Sequence, residues 1–242
     1  MSHDIEEAPR LRIAIDGPAG SGKSTLAREL AKALDYVYVD TGAMYRAVAY
    51  RAIQQGLDAT NPEHHDAIAQ IAADMEFHFE WQDGELRLLI DHEDVTDEIR
   101  TPEVEKQSSP VSAIPKVREE LVAAQKALAQ LPGVVMEGRD IGTVVMPDAD
   151  VKIYLTASPQ ERARRRWRQL RERGISRPFD TVLAETMERD RRDSSRPISP
   201  LRPAEDAIIL DTTDLTMEEV LQKVLEIVEE ARRRREQEQQ EQ

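Results

Sequence analysis

The run Gly17-Pro18-Ala19-Gly20-Ser21-Gly22-Lys23-Ser24, followed by Thr25, limits this chain more than any other feature it has. It satisfies G-x-x-x-x-G-K-[ST] at every fixed position. The flanks are the ones the pattern needs: the apolar run from Leu11 to Asp16 predicts a strand, and a helix is expected from about Ser24 to Leu34. Glycines let the backbone curl until successive N–H groups face one anion. Lys23 adds a mobile charge for β- and γ-phosphates, Ser24 offers a hydroxyl to a magnesium ion, and the helix start adds its dipole. Gly17 to Thr25 is therefore the expected triphosphate site.

The rest of the chain predicts where this loop sits. Short apolar runs at 36–40, 134–137, 151–155 and 207–211 read as further buried strands, separated by helical segments. Five such strands with helical crossovers predict an α/β fold, a doubly wound parallel sheet. Between residues 60 and about 100 the period changes. Met75, Phe77, Phe79 and Trp81 alternate with polar residues, Asp83-Gly84 marks a hairpin turn, and Leu86, Leu88 and Ile90 alternate after it. That antiparallel ribbon is out of keeping with its surroundings and predicts an insertion, either functional or decorative. Asn61-Pro62 and Thr216 with Glu219 are expected to cap helices, and Ser158-Pro159-Gln160-Glu161 reads as a reciprocal capping box with Pro at the first helical position. The expected organisation is a core of 11–59, 132–157 and 197–235, an inserted subdomain of 60–131 and a lid of 158–196. Residues 1–10 and 236–242 are expected to be disordered.

Charge narrows the partners. The chain has 242 residues and a net charge of −14, which opposes general binding to nucleic acid or anionic membrane. Residues 162 to 202 nevertheless hold thirteen arginines, no lysine and six acidic residues. Such a segment is either a solvated helix face or a phosphate grip, and the consistent choice of Arg favours the grip. Arg162, Arg164, Arg165, Arg166 and Arg168 are the candidates to meet ATP, with Arg162 and Arg166 put forward. There is no cysteine, so thiolate chemistry is absent, and the five histidines lack ligand spacing. No stretch approaches the roughly 20 apolar residues of a membrane span, and the acidic start has no secretory character. A cytoplasmic monomer is expected.

Asp40-Thr41-Gly42-Ala43-Met44-Tyr45-Arg46 ends the second strand and opens a helix, so a second anion site is expected beside the first. With Glu137-Gly138-Arg139-Asp140-Ile141-Gly142-Thr143 and Glu188-Arg189-Asp190-Arg191-Arg192-Asp193-Ser194-Ser195-Arg196, the chain resembles the bacterial cytidylate kinases from about Leu11 to Glu230. The resemblance implies phosphoryl transfer from ATP to CMP or dCMP, with magnesium carried by ATP. It implies that Arg46, Arg139 and Arg196 join Lys23 on the acceptor and transferring phosphates. Asp40 and Thr41 would border the acceptor, Ser109, Arg118 and Asp140 would read cytosine, Tyr45 would pack on the base, and Arg189 and Asp193 would meet the sugar.

Chemistry supports that assignment. Cytosine's N4 amino group suits a carboxylate, whereas uracil's O4 would face Asp140 lone pair to lone pair. A mismatch of that kind costs about 1–3 kcal/mol. From spacing alone, Arg139, Asp140, Arg189 and Asp193 could equally be ion pairs pinning loops. Asp16 and Asp40 either steer the metal's water shell or end strands and cap helices. The rivals are a kinase for UMP, AMP or shikimate, and a nucleotide-hydrolysing switch; no N-K-x-D motif supports the switch.

Overall fold

A computed structural model describes residues 9–82 and 85–241, with the side chain of Glu85 left out. Strand β1 (Arg12–Asp16) is buried from Ile13 onward and leads into the glycine loop and helix α1 (Lys23–Leu34). Strand β2 (Val37–Asp40) follows, then α2 (Thr41–Gln54), whose first turn is capped by Asp40 accepting from the Ala43 N–H. After α3 (His65–Asp74) come the ribbon strands β3 (Phe77–Gln82) and β4 (Glu85–Ile90) and the short β5 (Glu93–Asp94). The hairpin turn expected at Asp83-Gly84 lies outside the described residues.

Helices α4 (Pro102–Ala113) and α5 (Pro115–Leu128) return the chain to β6 (Val134–Gly138). A π-helical turn, Ile141–Val145, precedes β7 (Val151–Thr156). Two helices then pack on each other, α6 (Pro159–Glu172) and α7 (Phe179–Ser195), before β8 (Ile208–Asp211) and the long α8 (Met217–Gln240).

Five of these strands form one parallel sheet in the order β2-β6-β1-β7-β8. β6 opens with three consecutive buried apolar residues, Val134 to Met136, and β7 buries Val151, Ile153 and Leu155, because helices cover both faces of the sheet. The register fixes the site. Asp16 pairs with Gly138 and with Tyr154, and Asp40 pairs with Glu137. The glycine loop, the start of α2 and the Arg139-Asp140 segment thus leave the sheet side by side.

Four expectations need correction. α2 falls in the segment expected to be core, but Met44, Val48 and Ala52 share one apolar cluster with Ile68, Leu88, Val104 and Leu121, so it packs with the insertion. Arg10 is not loose: its guanidinium bonds the Asp35 carbonyl and lies over the Tyr36 ring. The tail beyond Glu236 is helical to Gln240, since Glu and Gln are good helix formers and no breaker intervenes. Ser158 accepts from the Glu161 N–H at 3.2 Å, but Glu161 does not return the bond; Arg164 and Arg165 draw its carboxylate away at 2.5 and 3.3 Å. The reciprocal box does form at Thr216 and Glu219.

Candidate active site

The glycine loop is tight because only glycine fits its first turn. Gly17 has φ +146°, and a Cβ there would come within 1.9 Å of the Leu155 carbonyl oxygen. Inside the loop, Lys23 donates to the Pro18 carbonyl at 2.7 Å, and the Ser21 hydroxyl donates to the same oxygen at 3.0 Å. Burial, helped by the nearby Arg139 and Arg189, pushes the Lys23 ammonium down to about 7 from 10.5, against the opposing pull of Glu137. Burial and the two guanidiniums outweigh the carboxylates of Glu137 and Asp16 nearby. Ser24 and Thr25 stand exposed at the opening of α1.

Two helix-α6 arginines support this loop from outside. Arg162 is buried; it donates to the Ala157 and Ala19 carbonyls at 2.9 and 3.2 Å and is held in a two-pronged grip by Asp190 at 2.9 and 2.6 Å. Arg165 donates to the Ser21 carbonyl at 3.3 Å and to Thr212 at 3.0 and 2.6 Å. Arg162, put forward for ATP, therefore stands at the loop but grips its backbone. Arg166 pairs with Glu105 of α4. Asp190 lies inside the Glu188–Arg196 motif without a role of its own there, and nothing in the sequence marks Thr212.

Across the sheet, Arg46 donates to Asp40 at 2.8 Å one turn into α2, and the Thr41 hydroxyl donates to the Glu137 carbonyl at 2.7 Å. Arg139 donates to Asp193 at 3.1 Å, and Arg196 to the Asp193 carbonyl at 3.2 Å. Burial and Arg139 push the Arg189 guanidinium down to about 10. Against the pull of burial, Arg139, Arg189 and Arg196 hold the Asp193 carboxyl below its ordinary value. Deeper in, Arg118 donates to Asp140 at 2.5 Å, with both side chains almost fully buried, and lies 5.5 Å from the centre of the Tyr45 ring. Ser109 is on α4, one turn before Ser112, whose carbonyl accepts from Arg118.

Four nitrogens are buried there with no acceptor: Nε of Arg46, Arg118 and Arg189, and a terminal nitrogen of Arg196. Buried guanidinium donors are ordinarily satisfied. Four left open together, one of them on Arg189, whose charge also helps depress Lys23, are donors available to an anion.

Of the two roles expected for Asp16 and Asp40, the contacts are those of strand ends and caps. Both oxygens of Asp16 accept from the Ile141 and Gly142 N–H groups, at 2.8 and 2.7 Å, so Asp16 caps the π-helical turn. Burial lifts it to about 6 despite those two bonds. Asp40 caps α2 and pairs with Arg46. Glu137 is the carboxylate next to the Ser24 hydroxyl; burial and then Asp40 raise it, and Tyr38 donates to it at 2.6 Å. Among the described residues no group of three or more His, Cys, Asp or Glu gathers as a metal cage. Ser24 with Glu137 suits an ion that arrives on phosphates and keeps most of its water.

Sequence comparison decides which family built this cleft. The cytidylate kinase family profile matches residues 13–230. The chain belongs to the cytidylate kinase family. A cytidylate kinase of Pelotomaculum thermopropionicum is 50% identical over 222 residues, covering 91% of this chain and 97% of that protein. One from Caldicellulosiruptor saccharolyticus is 47% identical over 218 residues, covering 90% and 95%. One from Escherichia coli O1:K1 / APEC is 46% identical over 214 residues, covering 88% and 93%. As a member of that family, the chain brings Lys23, Arg46, Arg118, Arg139, Asp140, Arg189, Asp193 and Arg196 to one cleft at the strand ends. No helix among the described residues is long and apolar enough to cross a membrane.

Proposed function

We propose that this chain transfers the γ-phosphoryl group of ATP to CMP or dCMP, giving ADP and CDP or dCDP. What most supports this is that the loop lysine, Lys23, shares one electrostatic site with Arg139 and Arg189 of the acceptor side. A hydrolase needs one anion site; a kinase for a nucleotide needs two that touch.

The acceptor is a phosphate monoester whose second pKa is about 6, so its attacking oxygen is already ionised at neutral pH. No strong base is required. As that oxygen bonds to the γ-phosphorus, the bond to the β–γ bridging oxygen breaks and the electron pair leaves with ADP. The task is to align two polyanions and spread the charge. The N–H groups of Gly17 to Thr25 and Lys23 take the donor phosphates. Arg46 and Arg196, with their open N–H groups, take the acceptor and the moving group together with Arg139. Arg189 and Asp193 meet the sugar.

Asp140, held by Arg118 through one oxygen, offers the other to cytosine N4, while Ser109 and Tyr45 complete the base pocket. Magnesium, bound with ATP, would be held by Ser24 near Glu137, and it supplies charge neutralisation between the β- and γ-phosphates. Arg162 steadies the loop, and Arg166 belongs to the closing lid. The net charge of −14 suits a cytoplasmic monomer acting on free nucleotides rather than on nucleic acid.

The test is ADP release at fixed Mg·ATP with CMP, dCMP, UMP, AMP, shikimate or no acceptor. CMP and dCMP should be the best acceptors. ADP release that is equal with and without acceptor would support the nucleotide-hydrolysing switch instead.

A further inference from the structure

Glu105 projects from α4 toward the lid. Its carboxylate takes a terminal nitrogen of Arg166 through one oxygen, and its other oxygen lies 3.8 Å from Arg173. Arg166 and Arg173 are two turns apart on one face of α6 and its end. Both charged contacts described between residues 60–131 and α6 with its cap end on this one carboxylate.

The two helices it joins have different duties. Helix α6 is bonded to the glycine loop, through Arg162 to the Ala19 carbonyl and Arg165 to the Ser21 carbonyl. Helix α4 carries Ser109 four residues after Glu105, hence on the same face one turn on. A base that sets α4 through Ser109 therefore sets the carboxylate that meets the lid.

The side chains of Glu105 and Arg166 remain 29% and 32% exposed. Water and salt reach the pair, so its strength is set by ionic strength and it costs little to open.

We propose that Glu105 is a positioning residue for phosphoryl transfer: through Arg166 and Arg173 it draws α6 onto the acceptor subdomain once the acceptor has set α4. The inference rests on Ser109 facing the base, as proposed above. It adds a carboxylate on α4 that couples acceptor recognition to the placement of the loop holding ATP.

The test uses the full chain with CMP and Mg·ATP, comparing wild type, Glu105→Gln and Glu105→Lys. A partly exposed ion pair of this kind is worth about a two- to fivefold change in an equilibrium. Accordingly, kcat/KM for CMP should fall by about two- to fivefold in Glu105→Gln at low salt. The gap should close as ionic strength rises, with an unchanged melting temperature. Glu105→Lys, which sets like charges together, should lose more than Glu105→Gln. Equal kcat/KM for wild type and Glu105→Gln would overturn the proposal. So would a loss that ignores salt, one that follows a lowered melting temperature, or a Glu105→Lys no worse than Glu105→Gln. Failure of wild type itself to use CMP would instead strike at the function proposed above.

Discussion

Replacing Asp140 by asparagine should reverse the order of CMP and UMP as acceptors. Asp140 and Arg118 are buried with side chains 6% and 3% exposed, and Asp140 Oδ2 accepts the 2.5 Å bond. Arg118 has a long second bond, 3.3 Å to the Ser112 carbonyl, and its Nε has no acceptor. The guanidinium will therefore keep whichever oxygen position 140 offers. An asparagine must give its only oxygen to Arg118, which turns its NH2 toward the base. Cytosine N4 then meets a donor instead of an acceptor, while uracil O4 meets the donor it lacked. Leaving buried groups mismatched costs about 1–3 kcal/mol, or roughly five- to 150-fold in kcat/KM for CMP. UMP should be unchanged or improved. The assay is kcat/KM for both acceptors at fixed Mg·ATP, with melting temperatures to show that the fold persists. Asp140→Ala, which strips a buried guanidinium of its counter-ion, should destabilise by about 3–5 kcal/mol and is the poorer probe. An equal loss for CMP and UMP in Asp140→Asn would refute base reading by this carboxylate.

Other consequences follow from the loop. Between its lowered pKa of about 7 and the ordinary 10.5, Lys23 is neutral in the native chain and protonated in the unfolded one. Its contribution to stability should thus rise with pH across that window. Lys23→Met should remove this slope, as read by denaturant unfolding at pH 7 and 9, and should abolish turnover while leaving the fold. Binding of Mg·ATP at pH 8 should be accompanied by proton uptake as Lys23 gains an anionic partner, measurable by calorimetry in buffers of differing ionisation heat; no uptake would count against Lys23 meeting phosphate. Gly17→Ala sets a Cβ against the Leu155 carbonyl, so nucleotide binding should be lost together with loop order, and normal ATP affinity would contradict the loop geometry. Chelation by EDTA should stop ADP release and added magnesium should restore it; turnover indifferent to the chelator would remove the metal from the mechanism.

The parts of this molecule legible from its sequence are those whose cause is local. The glycine loop, the caps at Asn61 and Thr216 and the alternation on either side of the ribbon turn each announce themselves within a few residues. The α4 helix did not, because PEVEKQSSPVSA is polar, carries Pro110 inside it and buries only Val104, Ser108 and Val111. Long-range pairings were equally silent. Asp16 finds its partners 125 and 126 residues on, and Arg162 finds Asp190 only because α6 and α7 pack together. For Arg162, composition indicates a cation near phosphate; only the packing reveals that it holds the loop's Ala19 carbonyl.

The central claim is that donor and acceptor phosphates lie end to end between the glycine loop and a ring of arginines. A crystal structure with an analogue joining adenosine and cytidine through a phosphate chain tests it most directly. The chain should run from the Gly17–Thr25 N–H groups to Arg46, Arg139 and Arg196, with the open nitrogens of Arg46 and Arg196 now donating to phosphate oxygens and cytosine N4 on Asp140. An analogue bound by its adenosine end alone, with those arginines turned to solvent, would contradict it.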